Sequence, residues 1–315
     1  MDKVIVMVGP TASGKTNLSI ELAKRIGGEI ISADSMQIYK MMDIGTAKPD
    51  REEMQGIRHY LIDEVYPDEE FSVAKFQSLA LKYIGEILDK GKVPIVVGGT
   101  GLYINSLVYN YKFSETISDW NYRERLKQTA DEKGREYLHE ELRKIDPEAA
   151  KRIHVNDLKR IIRALEVFHY TQKTMTHHQD VSRTEPSPYQ FTLFGLTMDR
   201  ELLYERINRR VDIMMEKGLV EEVRKLVKLG FTKKAPAMQG LGYKEIISYL
   251  RGEATFGEAV DLLKKNTRHY AKRQLTWFRR MEEVNWIDAA PPGGLEDLLK
   301  SVNSVLQHLE FSYKI

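Results

Sequence analysis

The stretch "VGPTASGKTNLS", residues 8–19, contains the pattern G-x-x-x-x-G-K-[ST] without a gap, from Gly9 to Thr16. An apolar, β-branched run, Lys3–Val8, precedes it, and apolar residues follow at helical spacing as far as Ile26. A strand, a glycine-rich turn and a helix in this order form a phosphate-binding loop, because backbone N–H groups and the positive helix end face the anion. The stretch predicts an α/β fold with a phosphate site and leaves the phosphate compound open.

The loop supplies several kinds of ligand. Lys15 adds a point charge, and the hydroxyl of Thr16 is a candidate ligand of Mg²⁺. The candidate residues for diphosphate or nucleotide binding are Gly9, Pro10, Thr11, Ala12, Ser13, Gly14, Lys15 and Thr16. Nucleotide hydrolases with such loops usually hold the metal with an acid at a strand end. Here the apolar run Val93–Val97 is followed by Gly-Gly-Thr, and the nearest such acid is Asp34. This weakens the ATPase interpretation without removing it.

Short apolar runs alternate with helical patterns through the first 113 residues. Glu29–Ser32, His59–Asp63 and Val93–Val97 are predicted strands, and a helix is predicted from Ser72 to Gly91. This alternation predicts a parallel sheet flanked by helices, as in P-loop NTPases.

The pattern changes after residue 113. Residues 120–174 are helical and highly charged, and a polar stretch, 171–189, is predicted to be a loop. Strands are expected again at Gln190–Asp199 and Val284–Ala289, with helices between them. We therefore expect an α/β core domain of residues 1–115 and 190–315, interrupted by a helical insertion domain of residues 116–189.

Composition excludes several classes of protein. The chain has no cysteine, so disulfides, cysteine nucleophiles and thiolate zinc sites are ruled out. No apolar run is long enough to span a membrane, and the N-terminus is unlike a secretory signal. We expect a cytoplasmic protein without a membrane partner. The net charge of +2 is nearly neutral, so a nucleic-acid surface would depend on where the charges lie.

A second group of polar residues follows the predicted strand Glu29–Ser32. Asp34 and Ser35 lie just beyond its carboxyl end, the edge at which open α/β sheets bind ligands. Asp34 beside a phosphate site would need a metal or a proton, although a turn or helix cap explains it equally well. Thr100, between two glycines, is likewise explained by an N-cap of the next helix. The Gln37 amide has the chemistry to pair with an adenine edge.

Six blocks in order then resemble the bacterial tRNA dimethylallyltransferases. They are "GPTASGKT" (9–16), "SADSMQIYKMMDIGTAKP" (32–49), "VPIVVGGTGLY" (93–103), "RIHVNDLKRIIRALEVF" (152–168), "MQGLGYKE" (238–245) and "AKRQLTWFRR" (271–280). The resemblance covers almost the whole chain. It implies that the loop holds the diphosphate of dimethylallyl diphosphate, and that the prenyl group passes to the N6 amine of the adenine 3′ of the anticodon.

The resemblance also implies roles for individual residues. Asp34 would be the general base for the adenine amine, and Thr100 would bind near the bridging oxygen of the leaving group. Lys15, Arg224 and Mg²⁺ would take up the charge that develops on the diphosphate. Arg224 lies in a common helical pattern, so a surface arginine is an equal alternative.

Signals for RNA binding come from the C-terminal part of the chain. Residues 262–281 contain no acidic residue, whereas seven are lysine or arginine. A solvated basic face is the commoner meaning of such a run, and Trp277 and Phe278 are expected in the core. The resemblance implies a monomer that grips the tRNA anticodon stem-loop with the insertion and these helices. The tRNA-binding candidates are Asp34, Ser35, Met36, Gln37, Thr100, Arg123, Lys159, Arg160, Arg163, Gln239, Gly240, Lys244, Lys272, Arg273 and Gln274.

Three other functions stay open at this point. An enzyme that prenylates free adenine nucleotides would share the loop and Asp34 but would not need the insertion. A P-loop kinase for nucleosides or other small molecules would consume ATP. An NTP-gated RNA-binding protein would not depend on Asp34. The pair His177-His178 is expected in a flexible loop rather than at a metal.

Overall fold

The computed structural model describes residues 1–113, 119–182 and 186–308. Its strands are β1 (Lys3–Val8), β2 (Gly28–Ala33), β3 (His59–Tyr60), β4 (Val93–Gly98), β5 (Gln190–Thr197) and β6 (Val284–Asp288). Its helices are α1 (Lys15–Ile26), α2 (Arg51–Met54), α3 (Val73–Asp89), α4 (Gly101–Val108), α5 (Trp120–Lys133), α6 (Arg135–Ile145), α7 (Pro147–Arg152), α8 (Leu158–Thr171), α9 (Met175–Ser182), α10 (Arg200–Glu216), α11 (Leu219–Lys228), α12 (Tyr243–Leu250), α13 (Phe256–Phe278) and α14 (Gly294–His308). A short 3₁₀ helix spans Ala237–Gln239.

The strands form one parallel sheet in the order β3-β2-β4-β1-β5-β6. The α/β fold predicted from the sequence is therefore confirmed. Ile5 of β1 pairs with Ile95 of β4, and Ile30 of β2 pairs with the same Ile95 on its other side. Because parallel strands end at one edge, the segments after β1, β2 and β4 emerge side by side. These segments carry the phosphate loop, Asp34 and Thr100.

Helix α1 holds the phosphate loop against the sheet. Its apolar face, with Leu18 and Leu22, is buried against Ile5 and Met7 of β1 and against α14. Burial of each such side chain contributes about 1.5–3 kcal/mol to folding. The N-terminus of α1 is thus fixed at the carboxyl edge of the sheet.

The chain divides into two compact units. One comprises Met1–Leu107 and Pro188–Ile315, and the other comprises Val108–Ser187. In the second unit the apolar stripe of α8, with Ile161 and Leu165, packs with Leu138 and Leu142 of α6.

The loop predicted for residues 171–189 is wrong in part, because α9 occupies Met175–Ser182. Thr174 accepts a hydrogen bond from the N–H of His177 (3.0 Å), and Asp146 binds the backbone and hydroxyl of Thr176 (3.0 and 2.7 Å). These polar residues start and anchor a short helix that composition alone does not reveal. Residues 183–185 of that prediction lie outside the described residues. In the described ranges, no helix is both long and apolar enough to cross a bilayer.

Candidate active site

The phosphate loop surrounds a pocket of about 310 Å³ at the N-terminus of α1. Gly14 adopts a left-handed conformation (φ 89°), which favours glycine, and α1 begins at the next residue. The hydroxyl of Ser13 is buried, and among the described residues it has no hydrogen-bond partner. The residues that line the pocket are Ala12, Ser13, Gly14, Lys15, Thr16, Asn17, Ile20, Glu53, Gln55 and Arg210. An unpaired hydroxyl beside a helix N-terminus and two cations fits a phosphate group.

Two cations, Lys15 and Arg210, line this pocket together with the carboxyl group of Glu53, and both cations also interact with the charge of Asp34. Lys15 donates to the carbonyls of Gly9 (3.0 Å) and Pro10 (2.7 Å). Burial and, to a smaller extent, the charge of Arg210 lower the pKa of Lys15 to about 7, although the charge of Asp34 acts in the opposite direction. The three charges therefore influence one another, and an incoming dianion would stabilise both cations.

Asp34 has the environment of a proton acceptor. Burial raises the pKa of its carboxyl group, while the N–H of Met36 (2.8 Å to Oδ1) and the charge of Lys15 partly offset that rise. The turn interpretation of Asp34 is thus correct for one oxygen, and it does not exclude a role for the other. A raised pKa makes a carboxylate a stronger base at neutral pH.

Arg210 was not anticipated from the sequence. Arg210 lies on α10, and its guanidinium donates to the hydroxyl of Thr11 (3.2 Å). The apolar face of α10 contains Leu203 and Ile207. Arg210 lies seven residues after Leu203 and so shares that buried face, which is the signal that could have identified it.

Arg224 does not line the pocket. It pairs with Glu221 on α11 and is half-exposed, as the alternative of a surface arginine predicted. Among the described residues that line the pocket, the arginine is Arg210.

Thr100 joins the turn after β2 to the turn after β4. Its Oγ1 accepts from the N–H of Ser35 (3.0 Å) and donates to the hydroxyl of Ser35 (3.3 Å). The hydroxyl of Tyr270, which reaches in from α13, lies near the side chains of Thr100 and Gln274. Burial raises the pKa of Tyr270, so this phenol stays protonated at neutral pH. The hydroxyl of Thr100 is thus bonded to the turn after β2, and a helix cap alone does not describe its placement.

The candidates Met36, Gln37, Gln239, Gly240 and Lys244 lie around the loop that follows Asp34. The Gln37 amide donates to the carbonyl of Ala47 (3.2 Å) and accepts from the hydroxyl of Ser32 (2.9 Å). This amide therefore braces the loop, and pairing with an adenine would require it to exchange partners. Gly240 packs against the methyl group of Met36, and the Gln239 side chain bonds to the carbonyl of Lys233. Lys244 is half-exposed beside Glu245 (3.8 Å).

Helix α13 presents both exposed and buried candidates. Lys272 and Arg273 are exposed, as a phosphate-contacting face requires. Gln274 is only 5% exposed and binds two loops of the site, so its placement does not fit the predicted contact with tRNA. Trp277 donates to Asn105 (3.2 Å), and Phe278 is fully buried, as expected for core aromatics.

In the second unit, the buried carboxylate of Glu166 accepts hydrogen bonds from two of the predicted tRNA-binding arginines. Glu166 accepts from Nε of Arg123 (2.8 Å), from Arg163 (2.5 Å) and from the N–H of Asp119 (3.0 Å). The side chains of Arg123 and Arg163 keep 30% and 38% of their surface exposed. Lys159 and Arg160 are exposed on α8.

A metal ion at this site would need the substrate to supply some of its ligands. Among the described residues, no three His, Asp or Glu side chains are grouped to hold an ion. His177 and His178 lie in α9, and His178 contacts the hydroxyl of Thr171 (3.1 Å). Thr16 lines the pocket beside the unpaired hydroxyl of Ser13, so the Thr16 hydroxyl would hold a divalent cation here, and that cation would supply positive charge for phosphate oxygens.

The fold and site define a P-loop α/β protein in which an anion pocket adjoins a carboxyl group of raised pKa. Residues 37–281 match the family model described as IPP transferase, and the chain belongs to this family. The tRNA dimethylallyltransferase of Acetivibrio thermocellus is 64% identical over 306 residues, which are 97% of this chain and 98% of the relative. That of Bacillus cytotoxicus is 50% identical over 306 residues, 97% of this chain and 96% of the relative.

Solved structures agree with this assignment. The tRNA isopentenylpyrophosphate transferase of Bacillus halodurans is 46% identical, with a TM-score of 0.74 over 98% of this chain and 97% of that one. A eukaryotic dimethylallyltransferase whose crystallographic snapshots show it acting on tRNA is 29% identical, with a TM-score of 0.82 over 98% of this chain and 79% of that one.

Proposed function

We propose that this protein transfers the dimethylallyl group of dimethylallyl diphosphate to the N6 amine of the adenine 3′ of the anticodon in tRNA, with release of diphosphate. The observation that carries the proposal is that Asp34 follows β2 at the sheet edge where the phosphate loop follows β1, and that its charge acts on Lys15 and Arg210, which line the pocket of that loop. A leaving diphosphate needs cations, and an attacking amine needs a base next to it. The chain offers both at one sheet edge.

The chemistry follows from these side chains. The bond between the prenyl carbon and the bridging oxygen breaks, the carbon–N6 bond forms, and the amine proton passes to Asp34. Adenine's amine is a weak nucleophile because its lone pair is delocalised into the ring, so proton removal helps. Lys15, Arg210 and the loop N–H groups stabilise the diphosphate, and Thr100 is available to its bridging oxygen. A magnesium ion bound at Thr16, which also stays a proposal, would supply further positive charge.

Recognition of tRNA is proposed for two surfaces. In the core unit, Lys272 and Arg273 of α13 would contact RNA phosphates. In the helical unit, Lys159 and Arg160 would do the same, together with Arg123 and Arg163 held by Glu166. The target adenine must leave its stack to reach Asp34, a form of base flipping. We propose that the helical unit grips the anticodon stem-loop.

The names of the relatives favour tRNA over free nucleotides, and they favour prenyl transfer over ATP consumption. The proposal is tested by incubating the protein with labelled dimethylallyl diphosphate and Mg²⁺, with unmodified tRNA or with free AMP. Label in tRNA and not in AMP is expected. Label only in AMP, or ATP turnover without transfer, would overturn the proposal. A cytoplasmic location and a monomeric state stay predictions.

A further inference from the structure

The buried side chain of Gln274 joins two loops of the candidate active site. Its Oε1 accepts from the backbone N–H of Thr11 in the phosphate loop (2.9 Å). Its Nε2 donates to the backbone carbonyl of Gly99, directly before Thr100 (3.0 Å). We propose that Gln274 is a positioning residue, which fixes the phosphate loop relative to the turn that carries Thr100. This inference rests on the proposed function of that site.

The two bonds need an amide. Thr11 offers a donor and Gly99 an acceptor, and a neutral side chain that accepts at one atom and donates at the other satisfies both. A carboxylate at this position accepts only, so it would repel the carbonyl of Gly99. The absence of a side chain at Gly99 makes space for this amide, because a Cβ there would overlap the amide nitrogen of Gln274.

The bond to Thr11 also shapes the anion site. The N–H of Thr11 points to Gln274, so it does not point into the phosphate pocket. Without this anchor, the segment between Gly9 and Gly14 would be free to rotate its amides away from the arrangement that binds phosphate.

A neighbouring residue supports the same arrangement. Tyr270, one helical turn before Gln274, lies near the side chains of Gln274 and Thr100. Helix α13 therefore fixes the distance between two parts of the site. One is the phosphate loop, and the other is the Thr100 hydroxyl proposed for the bridging oxygen of the diphosphate. Lys272 and Arg273 directly precede Gln274 and are exposed. Gln274 is buried, and its bonds go to the phosphate loop and to the residue before Thr100.

The test measures binding of inorganic pyrophosphate with Mg²⁺ by calorimetry, without tRNA. Gln274→Leu and Gln274→Glu are compared with the wild type and with Thr276→Ala, an exposed control on α13 whose hydroxyl donates to the Lys272 carbonyl of the same helix (2.9 Å). We expect both Gln274 variants to lose at least tenfold in pyrophosphate affinity, and Thr276→Ala to keep it. Affinity for tRNA and its salt dependence should be unchanged in all variants.

The pH dependence separates positioning from a general loss of structure. A protonated glutamic acid can donate again, so the affinity of Gln274→Glu relative to the wild type should recover as the pH is lowered. Taking the ratio at each pH cancels the titration of pyrophosphate itself. If Gln274→Leu does not fold, Gln274→Glu alone carries the test.

Two results would overturn the inference. One is unchanged pyrophosphate affinity with weakened tRNA binding, which would make Gln274 an RNA contact. The other is a lower melting temperature with unchanged pyrophosphate affinity, which would make its role structural only. Failure of the proposed function would look different, because the wild type would then bind pyrophosphate but transfer no label to tRNA.

Discussion

The Tyr243 hydroxyl donates a 2.7 Å hydrogen bond to the carboxylate of Glu222. The same carboxylate accepts from three consecutive N–H groups, at residues 43, 44 and 45, at 2.8–3.1 Å. Glu222 therefore clamps the loop that follows Asp34, and the Gln37 amide binds this loop at the carbonyl of Ala47. The backbone of "DIGTAKP", residues 43–49, thus offers three donors to one carboxylate that is distant in the sequence.

Replacement of Glu222 by alanine should loosen that loop without touching the phosphate pocket. Hydrogen bonds to a charged group contribute about 1.5–3 kcal/mol, and Glu222→Ala removes several at once, so we expect a loss of at least that size in the free energy of unfolding. Tyr243→Phe removes one donor and should cost less. Chemical denaturation measures both variants, and calorimetry should find pyrophosphate affinity unchanged. Equal stability of wild type and Glu222→Ala would contradict the clamp.

Arg210 and Arg224 form a matched pair for testing the diphosphate site. Arg210→Ala should lower pyrophosphate affinity by about tenfold to a hundredfold, because a hydrogen bond to a charged group is lost. Arg224→Ala should stay within about twofold, since Arg224 pairs with Glu221 on the surface of α11. Calorimetry with pyrophosphate and Mg²⁺ compares the two. The reverse ranking would return the role to Arg224.

The contrast between these two arginines shows where sequence reasoning stops. The phosphate loop, Asp34 and Thr100 each follow a strand, and strands are readable from local patterns, so the convergence of these residues could be predicted. Arg210 reaches Thr11 across 199 residues, and Gln274 reaches it across 263. Such contacts depend on how α10 and α13 pack over the loop, and a local pattern does not encode that packing.

The exposed cations of α13 give a prediction about salt. Lys272→Ala and Arg273→Ala should each weaken tRNA binding and reduce the slope of log affinity against log salt by up to about one. Each variant removes one phosphate contact and therefore one released counterion. Lys300→Ala on α14, where Lys300 pairs with Asp297, is the control. Filter binding across a salt series measures the slopes, and unchanged slopes in both variants would mean that this helix face does not contact RNA.

The lowered pKa of Lys15 predicts a pH-dependent affinity for diphosphate. In the free protein Lys15 has a pKa of about 7, so the cation is fully present only below that value. Binding of an anion favours the charged form, and affinity should therefore fall as the pH rises above 7, by up to about tenfold per pH unit. Lys15→Arg stays charged and should lack this step. Calorimetry from pH 6 to 9 measures the pyrophosphate affinity of both proteins, and the ratio of wild type to Lys15→Arg isolates the titration of Lys15. A ratio that does not vary with pH would mean that the charge of Lys15 does not change.

Asp34 gives the prediction closest to the chemistry. Asp34→Asn keeps the shape and removes the basicity, so the prenyl-transfer step should slow by about a hundredfold to ten-thousandfold, the usual contribution of one general base. Binding of tRNA should change much less, because an amide still accepts a hydrogen bond. Asp34→Glu retains a base that is displaced by one methylene, and it should keep more activity than the asparagine variant. Single-turnover kinetics at saturating substrates measure all three proteins.

The pH profile and a magnesium titration then separate a base from a metal ligand. A base acts when ionised, and burial raises the pKa of Asp34, so the wild-type rate should fall as the pH drops through that raised pKa. Asp34→Asn should lack this acid limb, because nothing titrates at that position. If Asp34 mainly held Mg²⁺, the variant would instead lose pyrophosphate affinity and recover at high Mg²⁺. Rescue of Asp34→Asn by magnesium would therefore show that Asp34 is not the base. A slow rate of Asp34→Asn that depends neither on pH nor on magnesium would show that Asp34 is the base.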